Sequence, residues 1–523
     1  MPEHLKALVV VLGAAAVVFW LAERPLCALT LTVSEYRRRR NLWFGITLIG
    51  FLSHNFWIYI LLAAVMLAVA SSRERERNPL ALYCLLLFAL PPYDKSVPGL
   101  GLINYVFDIN HVRLLNLVVL LPVALRLFGQ RNERSQGSLL PDVLVAAYIV
   151  YRVGMQAMVD SLTGDLRATF YLLVDIWLPY YAASRFLRSI EAFREMAASF
   201  VLAVAVMAVI AAFEVARSWL VYTSLRLPWE AGMDDLSVYI LRGEGGLLRA
   251  NVSVGNSIVL GYVMMVAIAL MIFVGPQFRS RPMFLLGVGT LLVGLVAALS
   301  RGPWVGAAVA IIFGIGLGPG GVKRLLGLGG IGGLLLAVLL VSPYGGAIID
   351  YLPFVGTVDE GSVTYRQRLL EVSMMVLWQN PMFGAFDYIL NPAMEQMRQG
   401  QGIIDIVNTY LAIALGYGLV GLSLFVSPFL YALVATYVSH RRAALLDVDA
   451  DRLGRSLLAA MVGIMITIAT VSSITVVPTV YWLMLGICIA YTQSRFALTL
   501  PEAVNAPRAY DAPARRVYPR TIS

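Results

Sequence analysis

The chain has 523 residues, of which 59% are hydrophobic and only 14% charged, with a mean hydropathy of +0.77. A soluble domain carries about a quarter charged residues, so this composition excludes a soluble catalytic domain and points to a polytopic, all-α membrane protein. The formal net charge of +9 is no nucleic-acid footprint, because most Lys and Arg stand in short clusters between apolar runs and orient helices by the positive-inside rule.

Apolar runs of spanning length recur at about 5–22, 55–71, 79–92, 112–128, 139–158, 168–184, 197–217, 253–274, 283–299, 303–318, 325–342, 407–437, 456–473 and 477–494. The first lacks a small-residue cleavage site and runs directly into further apolar sequence, so it reads as a retained helix. Residues 25–33 and 42–53 are apolar but short, and stay open as spans, half-helices or interfacial segments. The expectation is a bundle of about 12–16 transmembrane helices. Residues 1–342 form its first part, 343–406 one large outer loop with amphipathic helices, 407–494 the last spans, and 495–523 a disordered cytoplasmic tail.

Short basic connections (Arg37 to Arg40, Arg73 to Arg77, Arg126 to Arg134, Arg185 with Arg188, Arg279 with Arg281, Lys323 with Arg324, Arg441 to Arg455) recur at every second turn from residue 79 onward. That periodicity places them in the cytoplasm. The longer loops, near 92–111, 217–252 and 343–406, then face outward, and any machinery lies there. In the largest, Arg366 to Asn380 reads as a helix. Leu369, Leu370, Met374, Val376 and Leu377 form its apolar face, which would lie on the membrane. Asn380-Pro381 stops it and Gly384 opens the next turn.

No nucleotide-binding, Walker, Rossmann or His-Glu-x-x-His pattern occurs, and Cys27, Cys84 and Cys488 sit in apolar stretches without ligand spacing. No cofactor and no metal is expected. What stands out is arginine at the outer face. Arg301, in the break Ser300-Arg301-Gly302-Pro303, either snorkels to headgroups or binds an anion with its planar fork. Arg249 precedes the 253–274 span. Arg366 and Arg368 open the amphipathic helix, against the local dipole preference. His111, at an outer helix end, and Asp405, just before the 407–437 span, are the acid/base candidates.

These segments resemble the O-antigen ligase/polymerase superfamily. The resemblance is carried by Thr364-Tyr365-Arg366-Gln367-Arg368 with Asn380-Pro381-Met382-Phe383-Gly384, by Ser300-Arg301-Gly302, by Arg249 with Gly255-Asn256, and by Asp405-Ile406-Val407-Asn408-Thr409-Tyr410 leading to Gly416-Tyr417-Gly418. It covers about residues 245–425. It implies a bacterial inner-membrane enzyme acting on undecaprenyl-diphosphate-linked glycans at the periplasmic face, without metal, alongside chain-length-regulator and flippase proteins. Arg249, Arg301 and Arg366 would contact the diphosphate, with Arg368 a second choice and Asn408 in the last motif. Ligases of the family carry His where this chain has Val407, which favours a Wzy-type polymerase over a ligase, with Asp405 or His111 as fallback base. A transporter or flippase is the alternative from another class, with Asp175 before Pro179 as its main intramembrane charge.

Overall fold

A computed structural model describes residues 2–99, 101, 104–129, 138–159, 161–229, 247–278, 280–342, 360–398 and 404–494. It is 78% helical, with a single hairpin among the described residues. The expected cytoplasmic tail, Arg131, Arg134, Arg279 and residues 343–359 and 399–403 of the outer loop lie outside the described residues.

The helices in chain order are α1 (Glu3–Leu29), α2 (Val33–Leu52), α3 (Phe56–Ala70) and α4 (Pro79–Leu86). After the hairpin β1 (Lys95–Pro98) and β2 (Tyr105–Ile109) come α5 (His111–Leu115), α6 (Leu121–Gly129), α7 (Leu140–Ala157), α8 (Leu162–Leu172), α9 (Leu178–Phe186), α10 (Ile190–Arg217) and α11 (Arg226–Trp229). The second half holds α12 (Ser257–Val274), α13 (Arg281–Ala297), α14 (Arg301–Gly316), α15 (Gly321–Val341), α16 (Glu360–Leu377), α17 (Pro392–Glu395), α18 (Thr409–Ala443), α19 (Val448–Ile468) and α20 (Val477–Thr492).

Five helical segments among the described residues are long and apolar enough to cross a membrane: Glu3–Leu29, His111–Gly129, Ile190–Arg217, Ser257–Gln277 and Thr409–Ala443. Four shorter apolar helices, Phe56–Ala70, Arg281–Ala297, Arg301–Gly316 and Val477–Thr492, accompany them. The chain is therefore an all-α protein with the helices of a membrane protein.

The two open N-terminal segments belong to long helices. α1 runs through Pro25 to Leu29, and α2 starts at a capping box in which Thr32 Oγ1 accepts from the Glu35 N–H and Glu35 accepts from the Thr32 N–H. Arg37 to Arg40 consequently lie on α2 and not in a loop. Arg39, only 3% exposed, is held by Glu76 and Glu195.

The expected span at 79–92 also differs. Its helix ends at Leu86 after 8 residues, and residues 79–91 are all buried. This run is apolar on every side because other helices surround it, not because it meets lipid. Two π-helical turns, Asn116–Leu120 and Leu173–Trp177, interrupt two helical segments that pack together, α5–α6 and α8–α9. Asn116 bridges them, accepting from the Tyr83 hydroxyl at 2.7 Å and donating to the Val174 carbonyl at 3.1 Å. Asp175 sits in the second of these turns and pairs with Arg113 at 3.0 Å.

α12 lies at the centre, nearly all its side chains buried against α10, α13, α14 and α19. The helices alternate in direction, so the bundle has two ends. One carries Arg39, Arg185, Arg194, His440 and Arg455. The other carries the hairpin, residues 219–229 and 247–255, the α13–α14 break and α16. The N-terminus is at this second end: the Trp219 indole donates to Glu3 at 3.1 Å and His4 meets the His54 ring.

Candidate functional site

At the second end a series of hydrogen bonds ties together the segments that carry the expected site residues. The Ala250 N–H donates to the Ala297 carbonyl at 3.1 Å, which sets Arg249 beside the end of α13. The chain then reverses through Leu299, at φ 44°, so that Arg301 begins α14. Gly302 abuts Thr470 so closely that a Cβ there would lie 2.1 Å from its hydroxyl. From Thr470 the chain reaches Val471, whose carbonyl accepts both the N–H and the hydroxyl of Thr409, and Ser472, whose hydroxyl donates to Asp405 Oδ1 at 2.9 Å. The Tyr365 hydroxyl donates to the Asp405 carbonyl at 3.0 Å, bringing in the segment with Arg366. Arg249, Arg301, Arg366 and Asp405 are thus on segments joined end to end.

α16 corrects the expectation for its arginines. It is already helical at Glu360, so Arg366 and Arg368 lie beyond the first turn and the dipole argument for them lapses. Its buried face is Leu369, Val372, Ser373, Val376 and Leu377, packed on Met394, Met397, Ile406, Leu411 and Leu415 of the same chain. Leu370 and Met374, expected on that face, are exposed beside Met375 and Trp378. Arg366 is half-buried; Arg368 is exposed and donates to Gln396 at 3.0 Å.

Two of the quoted motifs interlock through their backbones. Gly418, at φ 66° and ψ −171°, breaks α18, and the loop after Asn380 docks into the break. There the Leu419 N–H donates to the Pro381 carbonyl at 2.8 Å and the Ala385 N–H to the Leu415 carbonyl at 2.8 Å. Only glycine serves at this crossing: a Cβ on Gly418 would lie 2.1 Å from the Met382 carbonyl oxygen, and Gly384 also has positive φ, at 70°. α7 grips the same break, since the Tyr151 hydroxyl donates to the Tyr417 carbonyl and Arg152 donates to the Tyr417 hydroxyl at 3.1 Å.

His111 is the clear correction. It is 1% exposed; Nε2 donates to the Leu86 carbonyl at 2.8 Å, so Nδ1 accepts from the Tyr59 hydroxyl at 2.6 Å. Both ring nitrogens are thus engaged in the core and not open at an outer helix end. Asn408 caps α18 by accepting from the Leu411 N–H, while Asp405 stands three residues outside that cap.

Sequence reading passed over ionisable residues inside apolar runs, Glu214 and Arg152 among them. Glu214 is fully buried and accepts from the N–H groups of Val221, Asn251 and Val252 at 2.9 to 3.0 Å, anchoring the segment that holds Arg249. Arg152 lies under Tyr417. The signal was available, because a charge within a span marks a functional or positioning group by default. Among the described residues no cluster of three His, Cys, Asp or Glu side chains forms a metal site. No family model matches the chain, and no curated protein matches it.

Proposed function

We propose that the chain is a polymerase of Wzy type, joining undecaprenyl-diphosphate-linked oligosaccharide repeats at the periplasmic face of the bacterial inner membrane. On this reading the bundle has about 12–16 spans and its basic end faces the cytoplasm. The observation that supports it is the linkage of Arg249, Arg301, Asp405 and Arg366 through Ala297, Thr470, Ser472 and Tyr365, at the end opposite the basic one.

The reaction would displace the lipid diphosphate from the anomeric carbon of one repeat by a hydroxyl of another. The new carbon–oxygen bond forms as the bond to the diphosphate breaks. Negative charge gathers on the departing diphosphate, where Arg249, Arg301 and Arg366 would stabilise it, and the hydroxyl proton passes to Asp405. Guanidinium forks match phosphate oxygens in pairs, a geometry an ammonium does not offer.

The test is polymer formation by purified protein on lipid-linked repeats, with Arg366→Ala and Arg366→Lys. Arg366→Ala should insert normally and slow elongation by about 100- to 1000-fold, as for loss of one preorganised transition-state contact. Lys should restore only part of the rate. Activity should persist in EDTA. Long polymer from well-expressed Arg366→Ala, or activity abolished by EDTA and restored by magnesium, would sink the reading.

A further inference from the structure

A cavity of about 380 Å³ opens at the basic end of the bundle, far from the arginines of the proposed reaction, between α6, α7 and α9. Its floor is polar and built. Asp142 accepts from Arg185 Nη2 at 2.5 Å and from the Tyr180 hydroxyl at 2.6 Å, and Arg185 Nη1 donates to the Ser184 hydroxyl at 2.7 Å. The Arg185 guanidinium also lies over the Tyr181 ring at 4.1 Å, and Trp177 stacks on that ring at 4.5 Å. Arg188 lines the same cavity. The described lining therefore holds two guanidiniums and one carboxylate.

The outer wall has the opposite character. Phe128, Leu139 and Val143 line the cavity and are 54%, 58% and 59% exposed. Large apolar side chains left exposed on a transmembrane bundle face acyl chains. A basic floor behind an apolar, lipid-facing wall matches an amphiphile with an anionic head, and basic pockets between transmembrane helices on the cytoplasmic side hold such headgroups.

We infer that this cavity binds an anionic phospholipid of the inner leaflet, its phosphate against Arg188 and Arg185 and an acyl chain along Phe128, Leu139 and Val143. The site rests on membrane insertion and on the orientation of the basic end, and is independent of the polymerase reading. Arg185 is a preorganised donor because Asp142 and Tyr181 fix its plane. Arg188 contributes charge at the rim.

The experiment is native mass spectrometry of the full-length protein, delipidated in neutral detergent and titrated with phosphatidylglycerol, phosphatidylcholine or inorganic phosphate. Phosphatidylglycerol should be retained at least about fivefold better than phosphatidylcholine, and Arg188→Gln should lower its retention about fivefold, the effect of one basic side chain at a membrane surface. Val143→Trp, at an exposed position that accommodates a larger side chain, should narrow the groove and weaken retention without touching the charges. Equal retention of both lipids by wild type, or unchanged retention by both variants, would overturn the site. Displacement of phosphatidylglycerol by millimolar inorganic phosphate would show a free-phosphate site and overturn the lipid assignment.

Discussion

At the basic end of the bundle, guanidiniums reach across to carboxylates of other segments: Arg39 to Glu76 and Glu195, Arg185 to Asp142, and Arg194 to Asp449. At the opposite end the segments that carry Arg249, Arg301, Arg366 and Asp405 are joined by backbone and hydroxyl hydrogen bonds, with Glu214 gathering three N–H groups. Among the described residues this second end also has ion pairs, Arg113 with Asp175 and Asp94, and Arg398 with Glu395 one turn away on its own segment. The contrast has a mechanical meaning. A long arginine side chain follows a shifted helix and keeps its partner. A backbone-to-backbone crossing, or a short carboxylate on three fixed donors, tolerates little displacement. One end is strapped, and the other is set to geometry.

The comparison breaks outright if the ends are assigned to the wrong sides of the membrane. With single cysteines and an impermeant thiol reagent on intact cells lacking the outer membrane, position 398 should label fully and position 441 only after the inner leaflet is opened. The reverse pattern would put the arginine-bearing segments in the cytoplasm and end the proposed mechanism.

Gly418→Ala strikes the backbone crossing. Its Cβ would meet the Met382 carbonyl oxygen at 2.1 Å, in a backbone conformation that side-chain-bearing residues avoid. The loop should undock, with polymer formation falling about 100-fold, the scale of a misplaced catalytic segment. Limited proteolysis should then cut near residues 380–390 while the remaining fragments stay resistant. An unaltered protease map would mean the crossing is not what seats the loop.

Glu214→Gln is gentler. The amide has one acceptor oxygen where the carboxylate has two, so at least one buried N–H loses its partner, costing about 1–3 kcal/mol. Inserted protein should remain, with activity lowered about tenfold through displacement of the Arg249 segment. Wild-type rates from this variant would assign Glu214 to stability alone.

Asp449→Asn, at the strapped end, should do least. The Arg194–Asp449 pair is partly exposed and such pairs contribute about 0–1 kcal/mol, so melting temperature should move little and activity should stay within about twofold. A large activity loss there would erase the distinction between the two ends.

Much of the helical outline is local chemistry and was legible. Hydropathy marks the spans at 112–128, 197–217 and 253–274, and Asn380-Pro381 marks the end of α16 to within a few residues. Thr32 with Glu35, and Asn78 before Pro79, signal helix starts by their side chains alone. The candidate arginines were also legible, since an arginine beside a helix break stands out of an apolar sequence. What differed had a common cause. The apolar run at 79–92 gives a helix of only 8 residues inside the packed bundle, and the ring nitrogen of His111 is taken by Tyr59, 52 residues away.

By itself, then, the sequence determined that this protein is helical, apolar and basic at alternate turns, because period, hydropathy and capping depend only on near neighbours. Tertiary structure alone decided that Gly418 opens a seat for residues 381–385, that Ser373 and Leu369 face protein while Leu370 does not, and that Glu214 holds the backbone of residues 251 and 252. Each of these depends on which segment arrives at the other side of a hydrogen bond or a packed face. The partners lie tens of residues away, and periodicity along one helix carries no record of them.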